Sequence, residues 1–301
     1  MSFKSAFKIV RNLVLGLVAL LAVSVGVVYS VSSHRLHRKH FVEVQPITVP
    51  TDAIAIDRGR HIVATRACGD CHGSDFGGHK VIDDALAGVF HGANLTKGTG
   101  GLPADFSDLD FLRAIRHGVT RDGRALALMP SQEYAAMSDE DLGSVIAYLK
   151  TLPPVDRPRG EISPGPVLRL LMVLGQVKLA AEEIDHHASH IAAITPAITP
   201  EYGKYLASSC TGCHGPNLSG GKIVGAPPDW PSAANLTPHA SSRISKWTQD
   251  QFETVLRTRE RPDGTKLNPI MPAAFAQLSD LEVKALWSYI STLPPQMTGV
   301  R

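Results

Sequence analysis

The segment MSDEDLGSVIAYLKTLPP at residues 137–154 recurs as LSDLEVKALWSYISTLPP at residues 278–295, displaced by 141 positions without a gap. A duplication of that period constrains the chain to two similarly built units, each burying its own apolar face. With 301 residues and 44% apolar content, the chain is long enough for two such domains. The same or nearly the same displacement relates Cys68, Cys71 and His72 to Cys210, Cys213 and His214. It also relates Asn94-Leu95-Thr96 to Asn235-Leu236-Thr237, and Met129-Pro130 to Met271-Pro272. The chemistry-bearing residues were therefore duplicated together with their scaffold.

Each unit reads as short helices joined by long loops. Thr199 is placed to cap a helix whose first residue is Pro200, where the missing N–H costs nothing. Ser107-x-x-Asp110 and Thr248-x-x-Gln251 have the spacing of capping boxes. The stripes Phe111/Ala114/Ile115 and Phe252/Val255/Leu256 follow them at helical spacing. A last helix starts at Ser138 or Ser279 and carries Leu142/Val145/Ile146/Leu149 or Val283/Leu286/Trp287/Ile290 before a Leu-Pro-Pro stop. Strand-like alternation is scarce. The expected fold is all-α, with tandem domains at residues 52–154 and 199–295.

Residues 1–42 read as a membrane anchor with a basic flank. Leu13 to Val31 is a run of nineteen uncharged residues, about 28 Å long as a helix at 1.5 Å per residue, close to the thickness of a bilayer core. A cleaved signal peptide is the alternative, although its apolar region is ordinarily shorter. Lys4, Lys8 and Arg11 on one side balance Arg35, Arg38 and Lys39 on the other, so flanking charge leaves orientation open. Beyond residue 40 the chain holds 24 basic and 28 acidic residues, a balance that excludes the concentrated basic footprint of a nucleic-acid binder.

Residues 155–198 read as a linker. Its apolar stretch from Val167 to Ala181 contains Arg169 and Lys178, which favours an amphipathic helix packing across both domains, with the membrane surface as a second location. His186 and His190, spaced i and i+4, form a candidate metal clip or, more plainly, solvated linker histidines. His61, His79, His91, His117 and His239 have no twins in the repeat alignment and receive no role.

All four cysteines lie in Cys-x-x-Cys-His pentads, the pattern of covalent c-type haem attachment. Two cysteines three residues apart on a tight turn can each form a thioether to one haem, and the next residue then presents its imidazole to the iron. A four-cysteine zinc site and a redox-active dithiol are the rivals, and neither explains a histidine following each pair. Met129 and Met271 each lie 57 residues beyond their histidines. A thioether is a soft, neutral sixth ligand that raises the haem potential. Met137 is a fallback in the first unit, but its twin, Leu278, cannot ligate. The Asn-Leu-Thr triplets either bond a haem propionate or cap a turn.

On these residues, C68-G-D-C-H72, C210-T-G-C-H214, Leu128-Met129-Pro130, Ile270-Met271-Pro272 and the two Leu-Pro-Pro stops, the chain resembles the class I cytochrome c family. Within that family it resembles in particular the multi-haem cytochrome subunits of bacterial membrane-bound dehydrogenases. The resemblance implies a helical cytochrome fold around each of two covalently bound haem c groups, on the periplasmic side of a bacterial inner membrane. It further implies electron transfer rather than catalysis, from a dehydrogenase or quinol-linked donor to a soluble cytochrome or an oxidase. A di-haem peroxidase with one displaceable distal ligand is the enzymatic alternative, and a gas sensor a third reading.

Overall fold

The structure is a computed structural model and describes residues 3–226 and 229–300. Helix α1 (Phe3–His37) is 35 residues long, and its apolar side chains from Leu13 to Val31 face outward rather than into any core. Among the described residues it is the one helix long and apolar enough to cross a membrane.

The first repeat runs through α2 (Ala53–Thr65), α3 (Cys68–His72), β1 (Lys80–Asp84), β2 (Gly88–His91), α4 (Asp108–His117), α5 (Ser131–Tyr134) and α6 (Asp139–Leu149). The linker contributes β3 (Ile162–Pro164), α7 (Pro166–Val173) and α8 (Ala180–Glu183). The second repeat holds α9 (Pro200–Leu206), α10 (Thr211–His214), α11 (Gln249–Thr258) and α12 (Asp280–Ile290). Short 3-10 turns at Ala207–Cys210, Arg243–Lys246 and Ala273–Gln277 complete it.

Capping chemistry sets the helix starts. The Ser107/Asp110 and Thr248/Gln251 boxes both close, and Ser138 and Ser279 accept from the third backbone N–H of α6 and α12. Thr199 caps α9, with Pro200 at its first position. The predicted stripes are the cores: Phe111, Ile115, Leu142, Val145, Ile146 and Leu149 cluster in one repeat, and Phe252, Leu256, Val283, Leu286 and Ile290 in the other.

The first and last helices of each repeat cross at a glycine. A Cβ on Gly59 would stand 1.9 Å from the Ser144 carbonyl oxygen, and one on Gly203 would stand 2.0 Å from that of Ala285. Ser144 and Ala285 are repeat twins, so the crossings make Gly59 and Gly203 twins as well. The first repeat therefore carries two more residues than the second between this glycine and its first cysteine. There Arg66 ends α2 and Ala67 turns into the left-handed region at φ 58°, whereas the second repeat continues through its 3-10 turn.

Two expectations need correction. The fold is mostly helical but not all-α, because β1, β2 and β3 form an antiparallel sheet in that order. Val81, Ile82, Val89 and Phe90 suit strands. The Asp84 carboxylate accepts from Leu86 and Ala87 N–H, and Gly88 at φ 112° turns the chain back. The linker then adds a third strand, buried at Pro164. Second, the linker segment is not one helix across both repeats. Gly175, at φ 71°, divides it into α7 and α8. Met172, Leu179 and Ala181 pack with Val119 and Ala125 of the first repeat, with Leu36 in the last turn of α1 and with Val42 just after it.

The repeats face each other about an approximate two-fold axis. Helix α2 packs on the turn Ala273–Gln277, and α5, which holds the position of that turn in the first repeat, packs on the turn Ala207–Cys210 that follows α9. His61 Nε2 lies 2.7 Å from Glu282 Oε2, and the Tyr205 hydroxyl donates to Asp141 Oδ2 at 2.5 Å.

Candidate functional site

Each Cys-x-x-Cys-His pentad forms one tight helical turn, Cys68–His72 in α3 and Cys210–His214 across the 3-10 turn and α10. Both turns end at a glycine with positive φ, Gly73 at 81° and Gly215 at 79°, which redirects the chain beneath the motif. The returning strand presses directly on it: a Cβ on Gly92 would lie 1.7 Å from the Cys71 carbonyl oxygen.

In the first repeat that close approach brings the following carbonyl to the histidine, and the second repeat reaches the same bond with Ala233 in the place of Gly92. His72 Nδ1 lies 2.8 Å from Ala93 O, and His214 Nδ1 lies 2.7 Å from Ala234 O, its repeat twin. Burial holds both imidazoles below their ordinary pKa, so the neutral form prevails. A neutral ring that donates from Nδ1 presents the Nε2 lone pair, the arrangement of an oriented metal-ligating histidine.

The thiols are chemically quiet. Burial pushes the Cys68 thiol up to about 12 and the Cys210 thiol up to about 11, and it raises Cys71 too. A redox dithiol needs a depressed value, so this environment speaks against exchange chemistry. Among the described residues, no group of three histidine, cysteine or acidic side chains converges to hold a metal ion. The zinc reading thus finds no four-cysteine cluster.

Met129 borders the same apolar cluster as Cys68, and Met271 the same cluster as Cys210. Their segments are tied down. Ser131 Oγ donates to Ala114 O at 2.8 Å, and Arg259 Nη1 donates to Met271 O at 2.8 Å. Beyond them, the twin arginines Arg116 and Arg257 reach back to the loop before the last helix. Arg116 donates to Met137 O and Asp139; Arg257 donates to Leu278 O and Asp280. The sequence reading passed over both arginines, although they occupy the same register of the repeat. Met137 and Leu278 are equivalent buried core positions, the usual place for a methionine that fills space.

The Asn-Leu-Thr triplets are clamps. Asn94 Oδ1 accepts from both the amide and the hydroxyl of Thr96, and its amide group donates to Val155 O at 2.8 Å. Val155 N–H returns to Thr96 Oγ1 at 2.9 Å. Asn235, Thr237 and Gln296 repeat every one of these bonds. These side chains fasten the segment after Leu-Pro-Pro to the loop after the pentad, a turn-capping role. A groove of about 820 Å³ opens beside this loop, lined by Asp70, His79, His91, Arg157 and Arg159 among others.

The linker histidines are not a helical clip. His186 lies beyond the end of α8, with Nδ1 3.1 Å from His117 Nδ1 and Nε2 3.0 Å from Ala181 O. Burial, followed by the neighbouring His186, lowers His117 to about 4.

Both pentads also approach the seam between the repeats. Arg66, two residues before Cys68, donates to Leu206 O and Ser208 Oγ, two residues before Cys210. The carboxylate of Glu133 lies against Gly212 inside the second pentad, and burial pushes it up to about 7.

The model of the family described as "Cytochrome c" matches residues 56–153 and again residues 200–294. The chain belongs to the cytochrome c family. Its members carry covalently bound haem c and transfer electrons, and each match contains one complete pentad with its histidine. This cytochrome is similar over 276 residues, at 26% identity, to the gluconate 2-dehydrogenase cytochrome c subunit of Pantoea cypripedii, covering 79% of the chain and 59% of the relative. It is 22% identical over 280 residues to the cytochrome c subunit of alcohol dehydrogenase (quinone) from Gluconobacter oxydans, covering 82% and 56%. A shorter match, 35% over 103 residues, joins 32% of it to 21% of the fructose dehydrogenase cytochrome subunit of Gluconobacter japonicus. The cytochrome thus spans less than two thirds of each of these relatives.

Proposed function

We propose that this cytochrome is a membrane-anchored electron relay with two haem c groups, one in each repeat. The observation that carries the reading is the pair of histidine–carbonyl bonds, His72 to Ala93 and His214 to Ala234, built identically behind two Cys-x-x-Cys turns. Cys68 and Cys71, and Cys210 and Cys213, form the thioethers. His72 and His214 are the proximal ligands, and Met129 and Met271 the distal ones, each at the edge of the apolar cluster that borders its own attachment turn. The haems supply one-electron redox centres whose potential His/Met ligation raises. The protein's part is to orient the imidazoles and to fix one repeat against the other.

The donor in this reading is a dehydrogenase or quinol-linked enzyme, and the acceptor a soluble cytochrome or an oxidase. The support is that the three relatives described are cytochrome subunits of dehydrogenases, which favours a relay over the di-haem peroxidase. Helix α1 holds the molecule in a bacterial inner membrane, with both repeats on the periplasmic face. The test is haem stoichiometry. The purified chain should contain two haems, and replacing either cysteine pair with alanine should remove one. A chain that retains both haems after losing a cysteine pair would contradict the assignment.

A further inference from the structure

Helix α7 has two apolar faces. Leu168 and Met172 point into the cluster with Val119, Ala125 and Leu179. Val167, Leu170 and Leu174, spaced i, i+3 and i+7 and hence on one side of a helix, are 41%, 43% and 61% exposed. Leu86, also exposed, abuts the first turn of α7 through the Val167 N–H bond to its carbonyl. A row of large aliphatics along one short helix is more than scattered surface apolarity.

The position of α7 identifies what covers that row. It packs on α1 at the end of the apolar run. Arg169 Nη1 donates to Ser32 Oγ at 2.9 Å and Ser33 Oγ at 3.1 Å, and its guanidinium lies 4.8 Å from the centre of the Tyr29 ring. Tyr29 belongs to the last turn of the nineteen-residue apolar stretch, and Ser32 and Ser33 lie just past it. An aromatic ring and a cation at that depth mark the membrane–water boundary. Arg35 is held by Glu182 at the start of the next short helix, so α1 and the linker are joined at two levels. Exposed Arg38, Lys39 and Lys178 lie close by along the chain, placed to meet lipid headgroups.

We infer that α7 lies on the membrane as an interfacial helix, with Val167, Leu170 and Leu174 buried in the headgroup–acyl boundary of the bilayer that α1 crosses. The inference rests on the reading of α1 as a span. It fixes the first repeat against the membrane, since α7 shares a core with Val119 and Ala125, and it leaves the second repeat farther from the anchor in the chain of contacts.

The test uses the full-length, haem-loaded chain in vesicles of phosphatidylcholine and phosphatidylglycerol, with or without acyl chains brominated near the headgroups. Single variants Tyr29→Trp, Leu174→Trp and Met297→Trp are compared by the ratio of emission in the two vesicle types, which cancels quenching by haem. Haem content checks that each variant folds. Bromination should about halve the added emission of Tyr29→Trp and Leu174→Trp, the depth expected of an interfacial face, and leave Met297→Trp unchanged. Quenching of Tyr29→Trp without Leu174→Trp would overturn the inference and leave the anchor standing. If neither is quenched, the anchor reading fails and takes this inference with it.

Discussion

His61 and Tyr205 occupy equivalent positions, two residues past the crossing glycines Gly59 and Gly203, and each bonds a carboxylate of the opposite repeat. The acceptors are equivalent too: Asp141 and Glu282 are both third residues of their helices, behind Ser138 and Ser279. The interface is therefore isologous in the sense of a two-fold dimer, though it joins two halves of one chain. It holds two attachment turns in one relative position, which a relay between two centres requires.

The His61–Glu282 contact makes the seam pH-dependent. The bond to Glu282 raises His61 above its ordinary 6.5, against the opposing effect of burial. Burial would raise Glu282, but its bonds to His61 and Ser279 outweigh it and lower the group. A base with a raised folded pKa contributes stability that is complete below 6.5 and lost as pH rises through the folded value. Thermal unfolding should thus show a loss of stability on raising pH through that window, and His61→Gln should flatten it. An unchanged profile in the variant would assign the dependence to another group.

Tyr205→Phe should destabilise the chain by about 1–3 kcal/mol, because Asp141 is buried and loses one of its donors. Arg58 remains on the other oxygen of Asp141, which keeps the loss moderate. Denaturant unfolding of the haem-loaded protein measures it.

The clamps should be interchangeable in effect. Asn94→Ala strips the donor from Val155 O and the acceptor from Thr96, and Asn235→Ala does the same to Gln296 and Thr237. Each should cost about 1–3 kcal/mol, while both haems stay attached. Loss of a haem in either variant would return these residues to the cofactor.

Leu142, on α6, is fully buried in the cluster that also holds Val63 of α2. Leu142→Ala should cost about 2–5 kcal/mol by leaving a cavity, read as a lowered unfolding midpoint.

The duplication, the caps and the core stripes were legible because they depend on residues near one another in sequence. The pentads were legible because their spacing is the chemistry. The equivalence of His61 and Tyr205 was hidden by the two-residue difference ahead of Cys68, which only the helix crossings at Gly59 and Gly203 reveal. Ala93 and Ala234 act through backbone carbonyls, and no side chain announces them. The small sheet was missed because β1 and β2 are short and the third strand, β3, belongs to the linker and pairs with β2, some 70 residues earlier. The same holds for α7, whose inner face is matched to Val119 and Ala125, distant residues that no local pattern connects to it.

Met129 and Met271 are the assignment on which the relay depends. The direct measurement is an optical redox titration of the full-length chain with Met129→Ala and Met271→Ala alongside, following the weak charge-transfer band of methionine-ligated ferric haem. Two low-spin centres should appear, and each variant should lose the band and the high potential of one centre only. A high-spin or five-coordinate haem in the unsubstituted chain, or a variant that keeps its band, would contradict the account.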